Sequence, residues 1–111
     1  MASNSIRRLV GPVALTTTYT TNVYNPAAGT YAIVRHVHVA NKLNADTFRL
    51  YLGASAGNVA GTELFFDYPV TAKGTYDWYG ALYMVAADFL VGGAATTLTE
   101  VITLEGELGV V

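Results

Sequence analysis

The chain has 111 residues, a formal net charge of −2 and no cysteine, which fits one domain and excludes disulfides, thiolate metal ligands and cysteine nucleophiles. Hydrophobic residues make up 52% of the chain and charged residues only 13%, whereas an average globular domain is about a quarter charged. A domain of this size cannot bury so much apolar sequence, and exposed apolar surface usually marks a contact with another protein. The composition therefore favours a subunit of an assembly over a solitary monomer.

Charge and hydropathy also indicate which partners to expect. Arg7-Arg8 is only a pair, and no longer basic run occurs, so we expect no nucleic-acid partner, because phosphate binding needs clustered positive charge. No apolar run approaches the roughly 20 residues that span a bilayer, so we expect no membrane association. The first residues, Met1–Ser5, lack the charged start and apolar core of a signal peptide.

The beginning of the chain is predicted to be an N-terminal arm of residues 1–12, followed by a β-sandwich domain of residues 13–111. Polar residues come first in this segment, and Gly11-Pro12 marks a break in it. An alternative is that the segment forms the first edge strand of its own domain. The apolar residues of the arm that could dock on a neighbouring molecule are Ile6, Leu9 and Val10.

The rest of the chain alternates between strand-forming runs and turn residues. The threonine-rich stretch Val13–Tyr24 suits one or two strands, and a short strand is expected within Val85–Val91, before a break at Gly92-Gly93. About eight strands at spacings of roughly ten residues predict an all-β fold, an antiparallel β-sandwich that is jelly-roll-like. The runs richest in β-branched and aromatic residues are Tyr31–Asn41, Thr47–Gly53, Glu63–Val70, Thr75–Leu82 and Thr97–Gly109.

Strict alternation within a strand predicts which side chains face outward. In Glu63–Val70 it places Phe65 on the outer face, and the inner face receives Leu64, Phe66, Tyr68 and Val70. An outward phenylalanine is a candidate contact residue, and we assign the same role to Tyr79 and Tyr83.

The best candidate for metal chemistry is His36-Val37-His38, because residues two apart on a strand share a face. Two such histidines can share a metal ion, as in the cupin barrels, and would then support a metal-dependent enzyme. Those sites also need a carboxylate and a third histidine. The residues that follow, Val39–Asn44, contain no acid, and the chain has no third histidine. We therefore expect no metal and no other cofactor, and two histidines at a subunit contact or on a polar face.

The other polar groups give no catalytic constellation. Glu105 and Glu107 share one strand face, which is more typical of a solvated surface than of a glycosidase cleft. Asp77-Trp78 could form a sugar platform, but a core tryptophan beside a surface aspartate explains it better. No serine lies in a nucleophile elbow. We expect that the protein is not an enzyme.

Four stretches carry a resemblance to a known group of proteins, and they are Ile33–Asn41, Thr47–Gly53, Gly61–Phe65 and Tyr76–Gly80. Over roughly residues 33–109 the chain resembles small β-sandwich structural proteins of tailed bacteriophages. The resemblance implies a virion component, present in the virion and in the host cytoplasm during assembly. It implies no catalytic residue.

From these observations we expect a structural virion protein, most specifically a capsid decoration or cement subunit that acts by adhesion. Its partners would be copies of itself, for example in a trimer, and the major capsid protein or other virion proteins. The alternative is a receptor- or glycan-binding module of a tail tip or fibre, in which Tyr51, Tyr79 and Asp77 would contact sugars. The residues predicted to make the subunit contacts are Ile6, Leu9, Val10, Phe65, Tyr79 and Tyr83.

Overall fold

A computed structural model of the chain describes residues 6–96 and 98–111. The described residues form eight strands and no helix. Met1–Ser5, which belong to the predicted arm, and Thr97, which begins the last predicted run, lie outside the described residues. The strands are β1 (Arg7–Ala14), β2 (Asn22–Tyr24), β3 (Thr30–Asn41), β4 (Asp46–Gly53), β5 (Glu63–Val70), β6 (Thr75–Val85), β7 (Phe89–Ala94) and β8 (Glu100–Val110).

The strands form two four-stranded sheets, with the order β1-β8-β3-β6 in sheet A and β2-β7-β4-β5 in sheet B. All neighbouring strands are antiparallel. The chain pairs its first strand with its last, its second with its seventh, its third with its sixth and its fourth with its fifth. This nested pairing across two sheets is the jelly-roll arrangement of a β-sandwich, so the predicted fold class is confirmed.

The hydrophobic core lies between the sheets, where alternate residues of each strand point inward. In β8 the inward residues include Ile102 and Leu104, and in β4 they include Phe48 and Leu50, all fully buried. At one edge of the sandwich, aromatic rings fill the space between β5 and β6 and pack against this core. These rings are Phe65, Tyr68, Tyr76 and Trp78. The interpretation of Trp78 as a core residue beside an exposed Asp77 agrees with this packing.

The predicted break at Gly92-Gly93 is wrong, because both glycines lie inside β7 and are buried. Their role is steric. A side chain at Gly92 would overlap the backbone carbonyl oxygen of Arg49, and one at Gly93 would overlap that of Thr16. Two glycines in a row therefore allow neighbouring backbone segments to approach β7 closely.

The predicted orientation of β5 is correct for Tyr68 and Val70, which face the core, but wrong for residues 64–66. Phe48 pairs with Tyr68 and Leu50 pairs with Phe65, so two residues of β5 stand opposite Arg49 alone. Such a bulge reverses which side chains point inward. Phe65 consequently packs against the core, whereas Leu64 and Phe66 are exposed.

Residues 7–14 form β1, an edge strand of sheet A that pairs with β8. The predicted boundary between an arm and a domain at residue 12 therefore falls inside a strand. Leu9 and Val10 pack against the core of their own chain, because register shifts in β1 turn both toward it. Among the described residues, the alternative of a first edge strand is the one that applies.

The described residues contain no helix with the length and apolar character needed to cross a membrane.

Candidate functional site

Four polar side chains from three adjacent strands meet on the outer face of sheet A. His36 and His38 come from the central strand β3, Asp77 from β6 and Glu105 from β8. The register explains the meeting, because His38 pairs directly with Asp77 and His36 pairs directly with Glu105. Val37, which lies between the histidines, points into the core. We call these four residues the histidine–carboxylate cluster.

The cluster is held by three short polar contacts. Nε2 of His36 lies 2.7 Å from Oδ1 of Asp77, and Nδ1 of His38 lies 2.6 Å from the same oxygen. On its other side, Nδ1 of His36 lies 2.9 Å from Oε1 of Glu105. His36 therefore stands between two carboxylates, and one oxygen of Asp77 faces two imidazole nitrogens.

The contacts shift the acidity of the groups in the cluster. Partial burial lowers the pKa of His36, but the hydrogen bonds with Glu105 and Asp77 together outweigh it, and the net pKa is raised. Hydrogen bonds, first from His38 and then from His36, hold the pKa of Asp77 below its ordinary value. These two shifts favour a negative Asp77 beside a positive His36.

Tyr79 flanks the cluster on β6. Its ring stacks on the imidazole of His36, with the ring centroids 4.5 Å apart and the planes 4° from parallel. The tyrosine is nevertheless 72% exposed, so the other side of its ring faces solvent. Tyr83, further along β6, is 59% exposed and lies 5.7 Å from the ring of Tyr31.

The expectation that no carboxylate lies near the two histidines is wrong, because Asp77 and Glu105 both contact them. Asp77 follows His38 by 39 residues and Glu105 follows His36 by 69. The sequence segment after His38 could not reveal either one. The only signal in the sequence was weaker. Each acid lies at an outward-facing position of its own strand, and that strand turns out to be a neighbour of β3.

The six predicted contact residues separate into two groups. Tyr79, Tyr83 and Ile6 are exposed, as their predicted role requires. Leu9, Val10 and Phe65 pack against the core of their own chain. Tyr51, which the glycan-binding alternative needs, is also buried and has no ring face to offer to a sugar.

A second surface cluster lies on the outer face of sheet B and surrounds Arg49. The guanidinium donates hydrogen bonds of 2.7 and 3.2 Å to the two carboxylate oxygens of Asp67. It also lies 4.3 Å from the ring centre of Tyr19 and 4.1 Å from that of Phe66. The hydrogen bonds of Arg49 lower the pKa of Asp67. Because Asp67 has a left-handed backbone at the β5 bulge, the ion pair braces this irregular point of the sheet.

The interior contains one further group with unusual chemistry, Glu100 at the start of β8. It is fully buried, and the polar group that interacts with its carboxyl is the carboxyl of Asp46. Burial, and secondarily the neighbouring carboxyl of Asp46, raise the pKa of Glu100 to about 8. The group is therefore a buried acid that holds its proton at neutral pH.

Comparisons of the chain with protein-family models, with curated proteins and with solved structures find no match. Function must therefore be inferred from the fold, the surface and the two polar clusters. Of these, the surface along β6 carries both the exposed tyrosines and one side of the histidine–carboxylate cluster.

Proposed function

We propose that the protein is a structural subunit that assembles with further copies of itself through the edge strand β6. The observation that carries this proposal is the nature of that edge. β6 has eleven residues, and its sequence contains no proline, no lysine and a single charged residue, Asp77. A long edge strand without such protective residues offers its unpaired backbone groups to another strand.

The other three edge strands carry the features that prevent such pairing. β1 contains Pro12 and two arginines, and its register with β8 shifts twice. β5 contains Pro69 and bulges opposite β4. β2 has only three residues. β6 has a bulge of its own, where Gly80 and Ala81 stand opposite Arg35. It lacks the proline, the arginines and the short length of the other edges, so it is the edge best suited to association.

The side chains of β6 support the same conclusion. Tyr79 and Tyr83 project from it at 72% and 59% exposure, and tyrosine is enriched in protein–protein interfaces. The charge of Asp77 is directed toward the imidazoles of His36 and His38 in its own chain. It therefore presents less repulsion to an approaching copy than an unpaired aspartate would.

β6 is also compatible with pairing to itself. In an antiparallel pair of β6 strands centred on Gly80, Asp77 of one copy would stand opposite Tyr83 of the other. No two like charges would then be directly opposed, which would otherwise destabilise the pair. A two-fold axis would bring the same exposed tyrosines together from both copies.

Within this proposal, we place the subunit in the virion of a tailed bacteriophage, as a capsid decoration or cement protein that binds the shell. The support is the resemblance of its strand sequences to phage structural proteins. The jelly roll adds to it as an analogy, since this fold recurs in viral capsid proteins but also in lectins and cupins. Localisation of the protein in a particle reconstruction tests this assignment, and a position on the tail tip would favour the receptor-binding alternative.

Sedimentation of the purified chain tests the self-association. We expect an oligomer that the Tyr83→Glu variant converts to monomer, because its carboxylate would then stand opposite the like charge of Asp77 in the other copy. Val13→Glu is the matched control, since Val13 is 43% exposed on β1 at the opposite edge of the same sheet. It should sediment like the parent chain.

A parent chain that stays monomeric at the highest concentration studied contradicts the proposal, as does an oligomer that Tyr83→Glu leaves intact. The same measurement counts the copies. A dimer fits two-fold pairing of β6, whereas a trimer, the other arrangement considered from the sequence, requires β6 to contact a different surface of the next copy.

A further inference from the structure

We propose that the histidine–carboxylate cluster binds one divalent transition-metal ion of the Zn²⁺ type through His36, His38 and Asp77. The ligand atoms are Nε2 of His36, Nδ1 of His38 and a carboxylate oxygen of Asp77. Glu105 supports the site by holding the other nitrogen of His36. This site lies within one chain and does not depend on the proposed self-association.

The distances permit a metal ion. One ligand atom from each of the three residues lies within 4.8 Å of the other two. Tetrahedral Zn²⁺ with bonds of about 2.0–2.1 Å places its ligand atoms roughly 3.3 Å apart. The oxygen of Asp77 now lies 2.7 and 2.6 Å from the two imidazole nitrogens. It would have to withdraw slightly, as an exposed aspartate side chain can.

The hydrogen-bond chemistry of His36 requires positive charge between its ring and Asp77. If its Nδ1 carries the proton that is donated to Glu105, then Nε2 of the neutral ring presents a lone pair. That lone pair faces the carboxylate oxygen of Asp77 at 2.7 Å, and two acceptors at this distance repel each other. Either a second proton on His36 or a metal ion between the two atoms removes the repulsion.

Glu105 gives His36 the surroundings typical of a metal ligand. Histidines that bind metal ions usually donate their second ring N–H to a carboxylate, which fixes the tautomer and orients the ring. The contact of 2.9 Å between Nδ1 of His36 and Oε1 of Glu105 has this form. It leaves Nε2 directed at Asp77, on the side where the ion would lie.

The scaffold and its exposure fit a site with an open coordination position. Both histidines lie on β3, which is paired on both sides, so their backbone positions are fixed. Their side chains are 19% and 35% exposed, respectively, which allows an ion to enter from solvent. With three protein ligands, the fourth position of a tetrahedral ion would hold water. Imidazole and carboxylate ligands together suit Zn²⁺ better than Mg²⁺ or Ca²⁺.

Titration calorimetry with Zn²⁺ alone, in a buffer that does not bind metals, tests the proposal on the intact chain. We expect saturable binding of one ion per chain. His38→Ala and Asp77→Asn each remove a ligand and should abolish it. Glu105→Gln should weaken the affinity about 10- to 100-fold, the loss typical of a residue that orients a ligand.

Glu107→Gln is the matched control. Glu107 lies on the same strand as Glu105, but it is engaged by Arg35, whose Nε lies 2.8 Å from its carboxylate. Its variant should bind Zn²⁺ with unchanged affinity. Absence of saturable binding to the parent chain overturns the proposal, as does binding that His38→Ala and Asp77→Asn leave unchanged.

A second measurement decides the matter if a variant fails to fold. The ring-proton resonances of both histidines in the parent chain should shift together and saturate at one equivalent of Zn²⁺. Spectra in which only one histidine responds, or neither, contradict the shared site. They would leave a protonated His36 as the cation between the two carboxylates.

Discussion

Glu100 is a residue whose charge state is expected to govern stability. It is fully buried on the inner face of β8, and its pKa is raised from 4.5 to about 8 by burial and then by Asp46. The folded chain therefore holds a proton that the unfolded chain releases in weak acid. The stability that depends on this proton is fully present below the unfolded pKa and is lost as the pH rises through the folded pKa.

We predict that Glu100→Gln makes the pH dependence of stability shallower in the range between these two pKa values, and leaves the contribution of His36, whose pKa is also raised. In the parent chain the free energy of unfolding should fall with rising pH, at up to about 1.4 kcal/mol per pH unit from this group. Glutamine has a similar shape but no charge to desolvate, so the variant should be the more stable protein in weakly alkaline buffer. Urea unfolding across this pH range measures both effects.

The control is Glu107→Gln, which removes a carboxylate from the surface of the same strand. It should keep the slope of the parent chain. If Glu100→Gln and the parent show parallel pH profiles, then Glu100 does not hold the extra proton.

At the scale of the strand, the bulge in β5 decides which aromatic residues enter the core. Phe65 packs on Phe48 and Trp78, with ring centroids 5.3 and 6.5 Å away. Its neighbour Phe66 is 56% exposed and contacts Arg49. Because the bulge places one of these adjacent phenylalanines in the core and the other at the surface, substituting each in turn tests whether the bulge is present.

We predict that Phe65→Ala lowers the free energy of unfolding by about 3 kcal/mol, the cost typical of emptying a core aromatic site. Phe66→Ala should cost less than about 1 kcal/mol, since it loses mainly a surface contact with a cation. Denaturant unfolding of both variants measures the difference. A strand without the bulge would produce the opposite ranking.

The strands themselves were largely predictable, because their signals are local. Glu63–Val70 has the predicted bounds, and the predicted Thr47–Gly53 begins one residue later than β4. The bulges were not predictable, since nothing in the pattern marks the extra residue that reverses a face. The histidine–carboxylate cluster was missed for a related reason. Its acids come from strands distant in sequence, and only the register brings Asp77 beside His38.

At the scale of the whole molecule, the jelly roll joins the two ends of the described chain. β1 pairs with β8, and the contacts run from Arg7 with Gly106 to Ala14 with Val101. Pairing over such a separation has a high cost in chain entropy and forms slowly. The first strand therefore belongs to the cooperative unit that folds, whereas an arm that only reached a neighbour would not.

This difference predicts the outcome of deleting residues 1–10. The deletion removes the pairs of Arg7, Arg8 and Val10 with β8 and the packing of Leu9 and Val10 on the core. Partial burial of two aliphatic side chains corresponds to about 2–4 kcal/mol, so the free energy of unfolding should fall by at least that order in denaturant titrations. Ile6→Ser alters a side chain that is 60% exposed, and it should leave the free energy of unfolding unchanged. If the truncated chain unfolds like the parent and differs only in its assembly, then residues 1–10 act as an arm and do not contribute to the stability of the fold.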